Sequence, residues 1–218
     1  MPELRISERL RKDADPVWKE IFRHPFVTEL YRGSLPMGKF RFYALQDYSF
    51  LVTMMRNLAV LASRADSVPL TRELLEIAHL EATTEFASYE ELLGKLGYTL
   101  SDALKAEPSQ VSVSYGSFLL AMSSLKTFWE GFTAILPCFW SYAEIAESHK
   151  DILKKNTNTL YTEWASVYLS EPYLALVDKL RRILDTAPSE GYEKLKEVFL
   201  TASRYELAYW NMAHKIEK

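Results

Sequence analysis

Apolar residues recur every three to four positions through nearly the whole chain, the spacing that lines one face of an α-helix. Leu4 to about Phe22 carries this period with charges between, and predicts a first helix. Gly33, Pro36 and Gly38 interrupt the pattern, because glycine and proline punctuate regular structure. From about Lys39 to Arg64 the period returns through Phe42, Leu45, Phe50, Met54 and Leu58. Pro69 suits the first turn of a third helix, which runs past Leu74, Ile77 and Leu80 to Leu93, with Gly94 and Gly97 at its end. Further helices are expected after Pro108 (through Tyr115, Phe118 and Met122), from about Phe128 to Ser148, and from about Leu160 to Leu169. Two more are expected from Tyr173 to Leu184 and through Leu195, Phe199 and Ala202 to Ala213. No strand alternation, internal repeat or linker breaks this series. The expectation is one all-α domain over residues 1–218, a bundle of stacked, mostly antiparallel helices.

Composition narrows the function classes. Hydrophobic residues make up 48% and charged residues 25%, a globular balance with enough apolar surface for a core. A net charge of -3 provides no general attraction for nucleic acid or anionic membranes. No run approaches the roughly 18 apolar residues of a membrane span. The stretch from Met1 to Arg9 interleaves charges with its apolar residues, unlike a signal peptide. A single cysteine then points to a reducing cytoplasm.

That cysteine, Cys138, lies in Leu136-Pro137-Cys138-Phe139-Trp140-Ser141-Tyr142. It can be a small buried apolar side chain, a single ligand or a nucleophile. Pro137 donates no backbone hydrogen bond, so a helix here must bend or loosen at the carbonyl of Thr133. Tyr142, four positions on, shares a helical face with the thiol. Asp47 sits on an otherwise apolar stripe with Phe50 three positions beyond it. It either points outward or bonds a neighbouring helix, or it grips the nitrogens of a substrate beside an aromatic ring. Glu206 lies among Tyr205, Tyr209 and Trp210, where desolvation would raise its pKa toward neutrality and suit it to proton transfer. Tyr115 and Tyr168 are weaker candidates, each equally at home in a core. Glu76 and His79 form a Glu-x-x-His half-motif, the kind found in di-iron bundles, but no second such pair exists in the chain.

Four segments in order resemble the thiaminase II (TenA) family: His24-Pro25-Phe26-Val27, Tyr43-Ala44-Leu45-Gln46-Asp47, Leu136 to Glu144, and Tyr205-Glu206 followed by Tyr209-Trp210-Asn211-Met212-Ala213. The resemblance covers almost the whole chain and implies the haem-oxygenase-like helical fold. It also implies hydrolysis of 4-amino-5-aminomethyl-2-methylpyrimidine, and of thiamin, to the hydroxymethylpyrimidine in thiamin salvage. By the same resemblance Cys138 is the nucleophile, Asp47 holds the aminopyrimidine and Glu206 is the acid/base. Tyr115, Tyr142 and Tyr168 would line the pocket, and a homotetramer would be the assembly. Phe50 stands where the family often has tyrosine; it preserves stacking and loses one hydroxyl. The implied chemistry needs no metal and no organic cofactor, and its partner is the small aminopyrimidine or thiamin. Two rival readings are a di-iron oxidase built on Glu76 and His79, and a non-enzymatic regulatory protein acting through a partner.

Overall fold

The computed structural model describes residues 4–217; Met1–Glu3, where the leader expectation begins, and Lys218 lie outside the described residues. The expected first helix is two, α1 (Ile6–Asp13) and α2 (Asp15–Arg23), which meet at Ala14. Pro16 occupies the first turn of α2, where no backbone N–H is required. A short α3 (Pro25–Arg32), not anticipated from the period, begins at His24, whose Nδ1 accepts from the Phe26 N–H. It ends at Gly33 with φ 81°, a left-handed turn that glycine adopts without strain.

The long α4 (Met37–Arg64) matches its expected span closely. The third helix does not run intact to Leu93. It divides into α5 (Val68–Leu80), a π turn at Glu81–Glu85 and α6 (Phe86–Leu96). Gly94 stays inside α6, and Gly97, at φ 80°, closes it. The unpredicted α7 (Leu100–Lys105) is too short to show a period, and is held by a reciprocal Thr99–Asp102 cap. Then follow α8 (Gln110–Leu125), α9 (Phe128–Leu153), α10 (Thr159–Val167), α11 (Glu171–Leu184) and α12 (Tyr192–Lys215). Pro137 forfeits one helical hydrogen bond, yet α9 continues through it. No strand occurs among the described residues.

α9 is the central helix because its middle is apolar on every side: Gly131 to Pro137 are all buried. It packs against α12, α8 and α11, while α4 packs against α5 and α8. A Cβ on Gly131 would sit 2.7 Å from the Ser123 Cα, so glycine permits the close approach of α9 to α8. Buried side chains from Ile6 to Ala213 form one continuous core to which all these α-helices contribute. No described helix is long and apolar enough to cross a membrane. Glu76 and His79 lie on the exposed side of α5, and Glu76 pairs with Lys179 at 3.2 Å. The half-motif behind the di-iron alternative therefore faces solvent, not the core.

Candidate active site

Three helices each turn a pair of residues toward the same place. Asp47 and Phe50 are three apart on α4, Cys138 and Tyr142 four apart on α9, and Glu206 and Tyr209 three apart on α12. Such spacings put both members of a pair on one helical face. With Tyr115 from α8, these six side chains line one small inner hollow. Asp47, Phe50, Cys138 and Tyr142 also border an outer chamber, walled by Tyr43, Tyr168, Tyr173, Phe139, Glu81 and Glu85. The cavity volumes are about 10 Å³ inside and about 50 Å³ outside, so the inner hollow admits nothing much larger than a water molecule. Of the seven residues anticipated from sequence, six surround the hollow; Tyr168 lies on the outer chamber and on a further cavity of about 150 Å³ that Asp47 and Glu85 also border.

Packing and hydrogen bonds hold these groups in place. The Tyr115 hydroxyl donates to Glu206 Oε1 at 2.6 Å, and its ring stacks on Tyr205 at 5.0 Å. Tyr43 and Tyr142 join hydroxyl to hydroxyl at 3.1 Å, and Tyr173 donates to the Phe139 carbonyl at 2.8 Å. Beside Asp47, the Gln46 amide donates to the Glu107 carbonyl and accepts from the Ser109 N–H, which ties α4 to the start of α8. Phe50 leans on Tyr115 and Tyr209, with ring centroids 5.2 and 5.8 Å away.

Burial without any lining cation sets the electrostatics. Desolvation raises Glu206 to about 7, although the Tyr115 hydrogen bond pulls the other way. Asp47 is pushed up to about 8, first by desolvation and then by Glu85 and Glu206. Burial, reinforced by Glu206, holds the Cys138 thiol well above its ordinary range. Burial therefore keeps the thiol and the Asp47 carboxyl protonated at neutral pH, while Glu206 is poised to exchange a proton.

Sequence reasoning passed over Glu81, Glu85, Tyr43, Tyr173 and Tyr209. Tyr209 and Tyr43 carried a signal, because they stand three positions after Glu206 and four before Asp47. Glu81 and Glu85 carried none: with exposed Ala82, Thr83 and Thr84 between them, they look like a solvated helix face. Only the packing of the π turn against α4 shows that they point inward.

The chain is similar to known proteins over almost its full length. An aminopyrimidine aminohydrolase of Helicobacter pylori is 31% identical over 216 residues, covering 97% of this chain and all of that protein. One from Halalkalibacterium halodurans is 30% identical, covering 96% of this chain and 95% of the relative. Among solved structures, a TenA homologue from P. horikoshii OT3 superposes with a TM-score of 0.95 at 50% identity, covering 97% of this chain and 99% of its own. A domain from Shewanella denitrificans described as having a haem-oxygenase-like fold superposes with a TM-score of 0.79 at 13% identity, covering 96% and 92% of the two chains, a likeness of fold alone. The model of the TENA/THI-4/PQQC family matches residues 11–215, and the chain belongs to that family.

Proposed function

We propose that this protein is an aminopyrimidine aminohydrolase of the thiaminase II type, using Cys138 as nucleophile in thiamin salvage. One observation carries the reading: a lone thiol, a carboxyl and a near-neutral glutamate from three helices border one hollow, in a chain alike over its full length to enzymes of that name. Four residues border both spaces, and the flat ring is assigned to their junction, against Phe50 and between Asp47 and Cys138. Asp47, which burial keeps protonated, gives its proton to a ring nitrogen and grips the resulting aminopyrimidinium as a charge-assisted pair.

Ring protonation makes the adjacent ring carbon electrophilic. Glu206 takes the thiol proton as sulfur adds to that carbon, and the ring electron pair neutralises the protonated nitrogen. The 4-amino nitrogen then pushes its electron pair toward the side chain. The exocyclic C–N bond breaks, the ammonium nitrogen keeps the electron pair and leaves as ammonia, and Glu206 releases the thiol proton to water. Water adds to the exocyclic methylene left behind and passes a proton to Glu206. Finally the C–S bond breaks, the ring regains aromaticity and returns its proton to Asp47, and the thiolate recovers its proton from Glu206. The water-sized inner hollow beside Glu206 and Tyr115 suits that water. Thiamin follows the same course with the thiazole as leaving group.

Ammonia release from the aminomethylpyrimidine tests this directly. Wild type should turn over, and Cys138→Ser should lose ~10³-fold or more; equal rates would remove the thiol from the mechanism. The same reading places the protein in the cytoplasm, where the thiol stays reduced, as a homotetramer. Val68, Leu104, Val113 and Leu125 are all more than half exposed, apolar surface that an assembly can cover. Light scattering should give four times the 25.2 kDa chain mass, and a monomer mass would exclude the tetramer.

A further inference from the structure

The outer chamber contains two carboxylates that the chemistry above does not use. Glu81 is 9% exposed, lines the chamber and has no hydrogen-bond partner among the described residues. Glu85 lies one turn further on the same inward face and borders the same space, with Asp47 opposite. No lysine, arginine or histidine lines this chamber; Lys95 borders the adjoining cavity that Asp47 and Glu85 share, and it is already paired there with Glu91 and Glu163. A buried carboxylate without a partner is costly, so the carboxyl keeps its proton until a cation completes the site. Desolvation raises Glu81 to about 8, with Glu85 and Asp47 adding to the effect, as expected where the compensating charge arrives with a ligand.

Resting on the reading of this chain as an aminopyrimidine hydrolase, we propose that Glu81 and Glu85 recognise the positive charge of the leaving group. The inner hollow is too small for any substituent beyond a water-sized one, so a bulky leaving group must face the outer chamber. The two substrates share one chemical feature there. An aminomethyl group is an ammonium at neutral pH, and the thiazolium of thiamin is permanently cationic. Each departs as a neutral base, taking the C–N electron pair with it. The carboxylates therefore bind the ground state more strongly than the departing group, and their effect belongs in KM more than in kcat. Tyr168 and Tyr173 line the same chamber and add aromatic surface beside the two carboxyl groups.

The test is calorimetric binding to Cys138→Ser protein, which cannot turn over, with and without Glu81→Gln and Glu85→Gln added singly and together. The two probes are the cationic aminomethylpyrimidine and the neutral hydroxymethylpyrimidine, which differ in charge and little in shape. In the double variant the cation should bind ~10-fold weaker or worse, the effect of removing charge-assisted bonds. The neutral ligand should stay within ~2-fold, which also shows that the pocket is folded. In the Cys138-containing enzyme, the same double substitution should raise KM for the aminomethyl substrate and leave kcat within ~3-fold. Equal weakening of both ligands, or no change in either, overturns the proposal. If the Cys138→Ser parent binds neither pyrimidine, the hydrolase reading falls; if it binds both and the variants keep the parent's preference, this inference alone falls.

Discussion

Tyr115 and Glu206 show how one hydrogen bond tunes the site. Glu206 must be ionised to take the thiol proton, so kcat/KM should rise as pH climbs through about 7. The Tyr115 hydroxyl donates to the ionised carboxylate and favours it. In Tyr115→Phe the Glu206 pKa therefore rises, and the acidic limb of the pH–rate profile should move to higher pH; an unmoved limb would take Glu206 out of the titration. Asp47→Asn has no proton to give the ring and forms no ion pair with it. Pyrimidine affinity should fall ~10-fold or more by calorimetry, and unchanged affinity would refute the role of Asp47. At this scale the sequence was informative: a carboxylate on an apolar stripe, a glutamate among aromatics and a lone thiol four residues before a tyrosine all marked the hollow. The near-neutral acidity of Glu206 was expected from its neighbours in the chain. The raised pKa of Asp47 depends also on Glu85, far away in sequence, and was not legible.

Two element-scale features carry measurable consequences. The π turn puts Glu81 under the core, where it keeps its proton to about 8. Unfolded, a glutamate ionises near pH ~4.3. Between those values the native state binds more protons, so stability falls as pH rises from ~4 and levels off above about 8. Glu81→Gln removes that penalty: it should gain ~1–3 kcal/mol at pH 8 and almost nothing at pH 4, read from thermal melts at both. Equal gains at the two pH values would show that the carboxyl is not desolvated. Gly131→Ala pushes a methyl group against the Ser123 backbone and should cost ~1–3 kcal/mol in denaturant unfolding. The helices themselves were mostly readable, since α4, α8, α9, α11 and α12 each carry a long apolar period. The errors fell where local chemistry overrides the period: Pro16 starting α2, His24 capping α3, and a turn widened to π pitch between α5 and α6.

The whole molecule holds the site through an aromatic column that crosses the core. Trp210 is 2% exposed, stacks on Tyr43 at 5.7 Å and touches Tyr142 and Phe26 at 5.2 and 5.3 Å. Tyr43 and Tyr142 in turn border the outer chamber. Trp210→Ala should cost ~3–5 kcal/mol by denaturant unfolding, because a cavity opens where α3, α4, α9 and α12 meet. Pyrimidine affinity should fall with it, and a variant with wild-type affinity would separate the column from the site. By itself the sequence determined the helical class, the apolar face of each long helix and the pairing of Cys138 with Tyr142 and of Asp47 with Phe50. These are consequences of a period of 3.6 residues, a property of neighbours along the chain. Tertiary structure alone decided that the three pairs meet, that the space divides into a water-sized hollow and a larger chamber, and that Glu81 and Glu85 turn inward. Desolvation and cavity shape are set by atoms from helices far apart in sequence, and no local pattern carries that information.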